Sequence, residues 1–175
     1  MIKNLDFPIV TYLIWVMIDL DNIDRRLIIR MQENARTPIA KLAEFCAAST
    51  ASIQRRLRRL RQTGVIIGDT ISVDRLAVGF SVKAVISVEL ERDKTVDINA
   101  FKETAIKEPY VQHCYCIAGE VDFILIVVAK NMIDYEAFTH RFFFSNRNVR
   151  KFKTSIVVSE QKATNAVPLW PVQND

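Results

Sequence analysis

From Asp21 onward the apolar residues recur at helical spacing. Ile23, Leu27, Ile28 and Met31 form one stripe, with Asp21 placed to cap the free amides and Asp24 to favour the positive end of the dipole. Asn34 to Thr37 interrupts the pattern, and Thr37 with Pro38 reads as the cap and first position of a second helix with Ile39, Leu42, Ala43 and Cys46 inside. After an Ala47-Ala48 turn, Ser49 or Thr50 caps a third helix whose inner stripe is Ile53, Leu57 and Leu60, and Gly64 falls where a left-handed C-cap is expected. Three short helices in close succession predict a helix-turn-helix. Val65–Gly68 and Thr70–Val73 are short β-like runs that predict a wing, followed by a turn at Asp74–Leu76 and a hinge near Gly79.

The second half alternates in type. Ser81–Glu91 reads as a strand and Val96–Lys107 as a helix with Ile98, Phe101, Ala105 and Ile106 inward. Strands over Val111–Ala118 and Asp122–Ala129 come next, then a helix over Met132–Phe144 carrying Ile133, Tyr135, Phe138 and Phe142, and a last strand over Val149–Ser159. The order βαββαβ predicts an α+β ferredoxin-like sandwich with its helices on one face of an antiparallel sheet. Val82, Ala84, Ile86, Val88, Phe123, Leu125 and Val127 make the strands too apolar for both faces to meet water, so the bare face is expected to pack on a second copy. The expected division is an N-terminal extension (1–18), a winged helix-turn-helix (19–73), a linker (74–80), a ferredoxin-like domain (81–161) and a C-terminal tail (162–175).

The apolar run Ile9–Ile18 is too short for a membrane span of roughly 20 residues, and a single early base, Lys3, without a small-residue cleavage site argues against a signal peptide. The segment is either an element that docks on the body or a partner, or sequence upstream of a start at Met17; the second is preferred. Three cysteines without a C-x-x-C spacing indicate neither a zinc ribbon nor a redox pair and fit a reducing cytoplasm. Cys114 and Cys116 share one strand face and His113 the other, so they do not converge on a metal. His113 and His140 lie far apart without a nucleophile motif, and four glycines form no phosphate-cradling loop, so no enzyme, catalytic residue or cofactor is expected.

Charge adds what the apolar pattern cannot show. Residues 18–79 hold eleven Lys/Arg against seven Asp/Glu, whereas the remainder is balanced at thirteen each. Gln54–Gln62 alone carries five arginines and no acid. Such a cluster, unneutralised by neighbours, repels itself and is relieved by nucleic-acid phosphate. At 100° per residue Ala51, Ser52 and Arg55 face outward on the first turns with Gln54 at the margin, where Arg55 can pair with guanine and Gln54 with adenine. Arg58 and Arg59 are placed for phosphates, and Arg56 and Arg61 flank the buried stripe. Ser49 and Thr50 are foremost helix caps whose hydroxyls can also touch a phosphate. The candidate double-stranded DNA contacts are therefore Ser49, Thr50, Ala51, Ser52, Gln54, Arg55, Arg56, Arg58 and Arg59.

Leu20-Asp21-x-Ile23-Asp24-Arg25, Arg56-x-Arg58-Arg59-Leu60-x-x-x-Gly64-x-Ile66, and Ala118-Gly119-x-x-Asp122 with Thr154 downstream resemble the leucine-responsive regulatory protein/AsnC family of transcription regulators, in order from about Asp19 to Gln161. The resemblance implies a winged helix-turn-helix joined to an effector domain that dimerises through its sheets and often assembles into octamers. It also implies that small amino acids bind between dimers and alter assembly or DNA binding. The effector loop departs from the family's Gly-Asp-aromatic-Asp, reading Gly119-Glu120-Val121-Asp122, and Asn148 stands where a glycine is usual before the last strand. The candidate effector residues are Gly119, Glu120, Asp122 and Thr154, with Glu120 or Asp122 holding an α-ammonium group. The bland alternative makes Gly119 a tight turn and leaves both acids solvated. The expected protein is a cytoplasmic, sequence-specific DNA-binding regulator responsive to an amino acid, homo-oligomeric as a dimer, tetramer or octamer, with no membrane partner. The competing reading is an architectural DNA-binding protein of low specificity without an effector.

Overall fold

The computed structural model describes residues 18–91 and 95–170. All but Ile18 of the expected N-terminal extension lies outside them. The chain forms α1 (Asn22–Glu33), α2 (Ile39–Cys46), α3 (Thr50–Gln62), β1 (Val82–Leu90), α4 (Thr95–Lys107), β2 (Val111–Cys116), β3 (Phe123–Ala129), α5 (Met132–Thr139) running into a π-helical turn (His140–Phe144), and β4 (Val149–Ile156). It divides into two compact units. The first takes the residues up to Ile71 together with those from Thr164, and the second is Ser72–Ala163.

In the first unit Asp21 and Asp24 form a capping box: the Asp21 carboxylate accepts from the Asp24 amide at 2.8 Å, while the Asp24 carboxylate accepts from the Asp21 amide. Leu27, Leu42, Ile53 and Leu60 are fully buried between the three helices. Thr37 is not the cap of α2; Pro38 takes that position without a side-chain bond, and the Thr37 hydroxyl donates to the Asn34 carbonyl at 2.7 Å. The short Ala47-Ala48 turn has its physical basis in Ala47, which adopts left-handed backbone at φ 52°. Ser49 caps α3, accepting from the Ser52 amide, and Gly64 follows the helix at φ 76°. The wing does not form: residues 65–74 contain no strand. Ile67 and Ile71 are exposed, and a two-stranded ribbon with no surface to cover it is marginal in water.

In the second unit the strands pair antiparallel in the order β2-β3-β1-β4. Ala84, Ile86 and Val88 of β1 and Phe123, Leu125 and Val127 of β3 meet Phe101, Ala105, Tyr135, Phe138, Phe142 and Phe143 from the helical layer. Two expected core residues are exposed instead, Ile106 at 65% and Ile133 at 79%. Ile106 lies 100° round α4 from Ala105, and Ile133 lies 200° round α5 from Tyr135, so neither can share the buried stripe.

The residues expected to make the bare sheet face apolar all sit on the helix-covered face. The other face is built from cross-strand rows, Tyr115, Ile124, Ser87 and Lys153 in one and His113, Ile126, Val85 and Ser155 in the next. Its centre is apolar and half-buried, and its β4 edge is basic. The connection into β1 is a braced turn: Gly79 takes φ 86°, and one Arg75 guanidinium nitrogen donates to the Phe80 and Ser81 carbonyls at 2.8 and 2.9 Å.

Candidate nucleic-acid interface and effector loop

Burial of Ile53, Leu57 and Leu60 fixes the rotation of α3 and turns Ala51, Gln54, Arg55 and Arg58 to the surface, with Ser49 and Thr50 exposed at its start and Ser52 half-buried. The arginines then divide into two sets. Arg56 is drawn back toward α1, pairing with Asp24 at 2.8 Å and Asp21 at 2.6 Å, and its side chain is only 19% exposed. Arg59 pairs with the second oxygen of Asp24. Asp24 itself is fully buried, so one carboxylate receives guanidinium groups from two successive turns of α3. Burial pushes the Asp21 carboxyl up, but the Asp24 amide and the Arg56 guanidinium outweigh it and hold the group below the ordinary carboxylate value. Arg61 reaches Asp69 at 3.0 Å.

The expectation of an unneutralised arginine cluster is thus corrected for Arg56, Arg59 and Arg61. Arg55 and Arg58 alone among the five have no acid partner among the described residues. The Asp24 anchor escaped sequence reasoning because its place at the positive end of the α1 dipole already accounted for that residue. Its partners lie 32 and 35 residues away, and only the packing of α1 on α3 brings them together.

The effector loop joins β2 to β3. Gly119 has open space where a side chain would stand, and its backbone is not left-handed, so neither a close approach nor a strained turn requires glycine there. Glu120 is exposed and lines an open cavity of about 670 Å³ with Ser87, Glu89, Ile117, Lys151 and Lys153. Asp122 is engaged in the fold: its carboxylate accepts from the Leu90 amide at 2.7 Å, and its own amide donates to the Val88 carbonyl at 3.0 Å. Thr154 points to the helical layer, where its hydroxyl meets that of Tyr135 at 2.6 Å. The four candidates are therefore not gathered at one cavity; Glu120 lines it, whereas Asp122 and Thr154 do not. Lys151 and Lys153, which sequence reasoning did not select, do line it. Their alternation with Phe152 and Thr154 on β4 was the available signal. Burial pushes the Cys114 thiol up to about 11, which keeps it protonated at neutral pH. No group of metal-ligating side chains occurs among the described residues.

Comparison with known proteins agrees with this architecture in both units. The family model of the AsnC-type helix-turn-helix domain matches residues 20–61, and that of the Lrp/AsnC ligand binding domain matches residues 83–167. An uncharacterized HTH-type transcriptional regulator of Sinorhizobium fredii is 41% identical over 86% of this chain and 89% of its own length. The leucine-responsive regulatory protein of Rhizobium meliloti is 28% identical over 84% and 94% respectively. The crystal structure of a transcriptional regulator from Neisseria meningitidis in complex with L-methionine superposes with a TM-score of 0.81 at 27% identity, covering 86% of this chain and 97% of that one. With the capped basic helix, the βαββαβ sandwich and both family models in register, the chain belongs to the Lrp/AsnC family of transcription regulators.

Proposed function

We propose that α3 is the recognition helix of this regulator, with Arg55 and Gln54 reading base edges and Arg58 contacting phosphate. The single observation that carries the reading is that Arg55 and Arg58 are exposed on the outer face of α3 without an acid partner among the described residues, while Arg56 and Arg59 are held by Asp24. Ser49, Thr50, Ala51 and Ser52 occupy the turn that would enter the major groove first. Arg56 is assigned to orienting α3 on α1. On this reading residues 19–73 are the DNA-binding domain and 81–161 the effector and dimerisation domain, acting in the cytoplasm.

The effector we propose is an amino acid bound at the open cavity beside the β2–β3 loop. Glu120 faces the ammonium group and Lys153 the carboxylate; neither has an ion-pair partner among the described residues. The Neisseria relative's complex with L-methionine supports the chemical class. Asp122 and Thr154 then act as supports, the first fixing the loop on β1 and the second fixing β4 on α5. The half-buried apolar centre of the outer sheet face, together with exposed Ile67, Ile71, Val73, Leu76 and Val78, supports a homodimer as the basic assembly.

Selection of bound sequences from a random DNA pool at physiological salt tests the proposal. Enrichment of a two-fold symmetric site with half-sites about 10 base pairs apart, or a multiple, is the expected result. Salt-sensitive binding without enrichment would replace it with architectural binding.

A further inference from the structure

We infer that the helical unit carries a docking site for this chain's own C-terminal segment, residues 164–170, and that the docked segment straps this unit to the sheet unit by a second covalent route. The inference rests on the regulator reading for its consequence, but not for the docking itself.

The contact is specific in its chemistry. The Val167 amide donates to the side-chain oxygen of Gln32 at 2.7 Å, and the Gln32 side-chain nitrogen donates to the Val167 carbonyl at 3.0 Å. One carboxamide on α1 thus satisfies both main-chain groups of one residue, as a neighbouring strand would, which requires an extended backbone. Pro168 supplies it, because the residue before a proline is biased to extended conformations. Two residues on, Leu169 packs against the cluster that holds Leu27, Leu42, Ile53 and Leu60. Before the anchor, the Thr164 hydroxyl accepts from the Ala166 amide at 3.0 Å. The segment therefore has a polar clamp, an apolar anchor and a proline between them that lowers the entropy lost on docking.

The topology gives the docking its consequence. The chain leaves the helical unit at Ile71, builds the whole sheet unit, and returns to the helical unit at Thr164. A DNA-binding unit attached by one connection can rotate about it. A second connection restricts that rotation, so a dimer carrying it should tolerate a narrower range of half-site phases on DNA.

The test compares the full chain with Gln32→Ala and with a variant ending at Ala163. Exchange of the Val167 amide, followed by nuclear magnetic resonance, should be about threefold or more faster in Gln32→Ala; equal exchange would overturn the docking. On DNA with half-sites in phase or displaced by about half a helical turn, the full chain should discriminate strongly and both variants weakly. Equal discrimination by all three would overturn the strap. If the full chain binds no specific site, the regulator reading fails while the exchange result still decides the docking. Finally, because the whole Gln32 side chain stands between the two backbones, too far for a direct disulfide, Gln32→Cys with Val167→Cys, in a Cys116→Ser background, should be joined within one chain by a short-spacer bismaleimide. A cross-linked dimer would assign the segment to a second copy and overturn the inference.

Discussion

Asp24 shows how much one side chain can organise. It closes the capping box of α1, is fully buried, and receives Arg56 and Arg59. Asp24→Asn keeps the shape but removes the charge that both guanidinium groups face. Because Arg59 is nearly half exposed and can rehydrate, the loss falls at or below the low end for a broken buried pair, about 2 to 3 kcal/mol. Urea unfolding measures it, and an unchanged midpoint would show that the arginines hold α3 without their anchor. Arg55 and Arg58 predict effects on binding and not on stability. Arg55→Ala should lose about 1 to 3 kcal/mol on the best site with little change on random DNA, whereas Arg58→Ala should weaken both alike and reduce the salt slope by about one. Titrations on both DNAs across a salt series separate the two; equal losses from Arg55→Ala would remove its base-reading role. The arginine helix itself was legible in the sequence, because five arginines on three leucine-stripe turns admit few other readings. Which arginines are spoken for was not, since that depends on acids in another helix.

Among the elements, helices and strands followed from periodicity, and the starts of α1 and α3 from their caps at Asp21 and Ser49. The failures share a cause. The wing runs, Ile106, Ile133 and the outer sheet face were each read from hydrophobicity alone, and apolar residues are compatible with burial against a partner as well as within the chain. Facing on β1 and β3 needs the register, which pairs Ala84 with Val127 and Ile86 with Leu125 on the covered side. The same distinction separates two glycines. Gly64 ends α3 in left-handed backbone, so Gly64→Ala should destabilise the helical unit by about 1 kcal/mol. Gly119→Ala should leave stability unchanged, since none of the described residues beyond its chain neighbours lies within 4 Å of the added carbon and its φ is not positive. Thermal melts of both variants decide it, and a destabilised Gly119→Ala would mean the loop requires glycine after all. The effector constellation was legible only as a loop, because Asp122 and Thr154 are occupied by the Leu90 amide and the Tyr135 hydroxyl.

For the whole molecule, the two proposed interfaces can be separated by where a charge is placed. Ile126→Glu puts a carboxylate at the centre of the outer sheet face, with the covered face untouched. Sedimentation should show the dimer lost with the fold retained; an undiminished dimer would place the interface elsewhere. Acid should act on the fold itself. Asp21, Asp134 and Glu160 all titrate below their ordinary values. For Asp21 the Asp24 amide and Arg56 overcome the upward push of burial; Asp134 is lowered by the Lys130 amide and then the Tyr110 hydroxyl, and Glu160 by Lys83. The unfolded chain therefore takes up protons first. The stability these groups contribute is fully present above their ordinary values, 3.8 for Asp and 4.5 for Glu, and is lost as pH falls through the lower folded values. Melting temperatures should be flat from about pH 7 to 5 and drop toward about pH 3, and a rise on acidification would contradict the sign.

The division of labour along α3 also bears on how such a protein changes over generations. Positions 53, 56, 57, 59 and 60 are committed to the fold, through the apolar stripe and the Asp24 anchor. The side chains at positions 51, 54, 55 and 58 are exposed and make no hydrogen bond or ion pair with any of the described residues. If α3 reads DNA as proposed, duplicated copies could drift apart in the sites they recognise by substitutions at these four surface positions, leaving the scaffold intact. For the same reason, a library randomised at those four positions is the natural starting point for retargeting it.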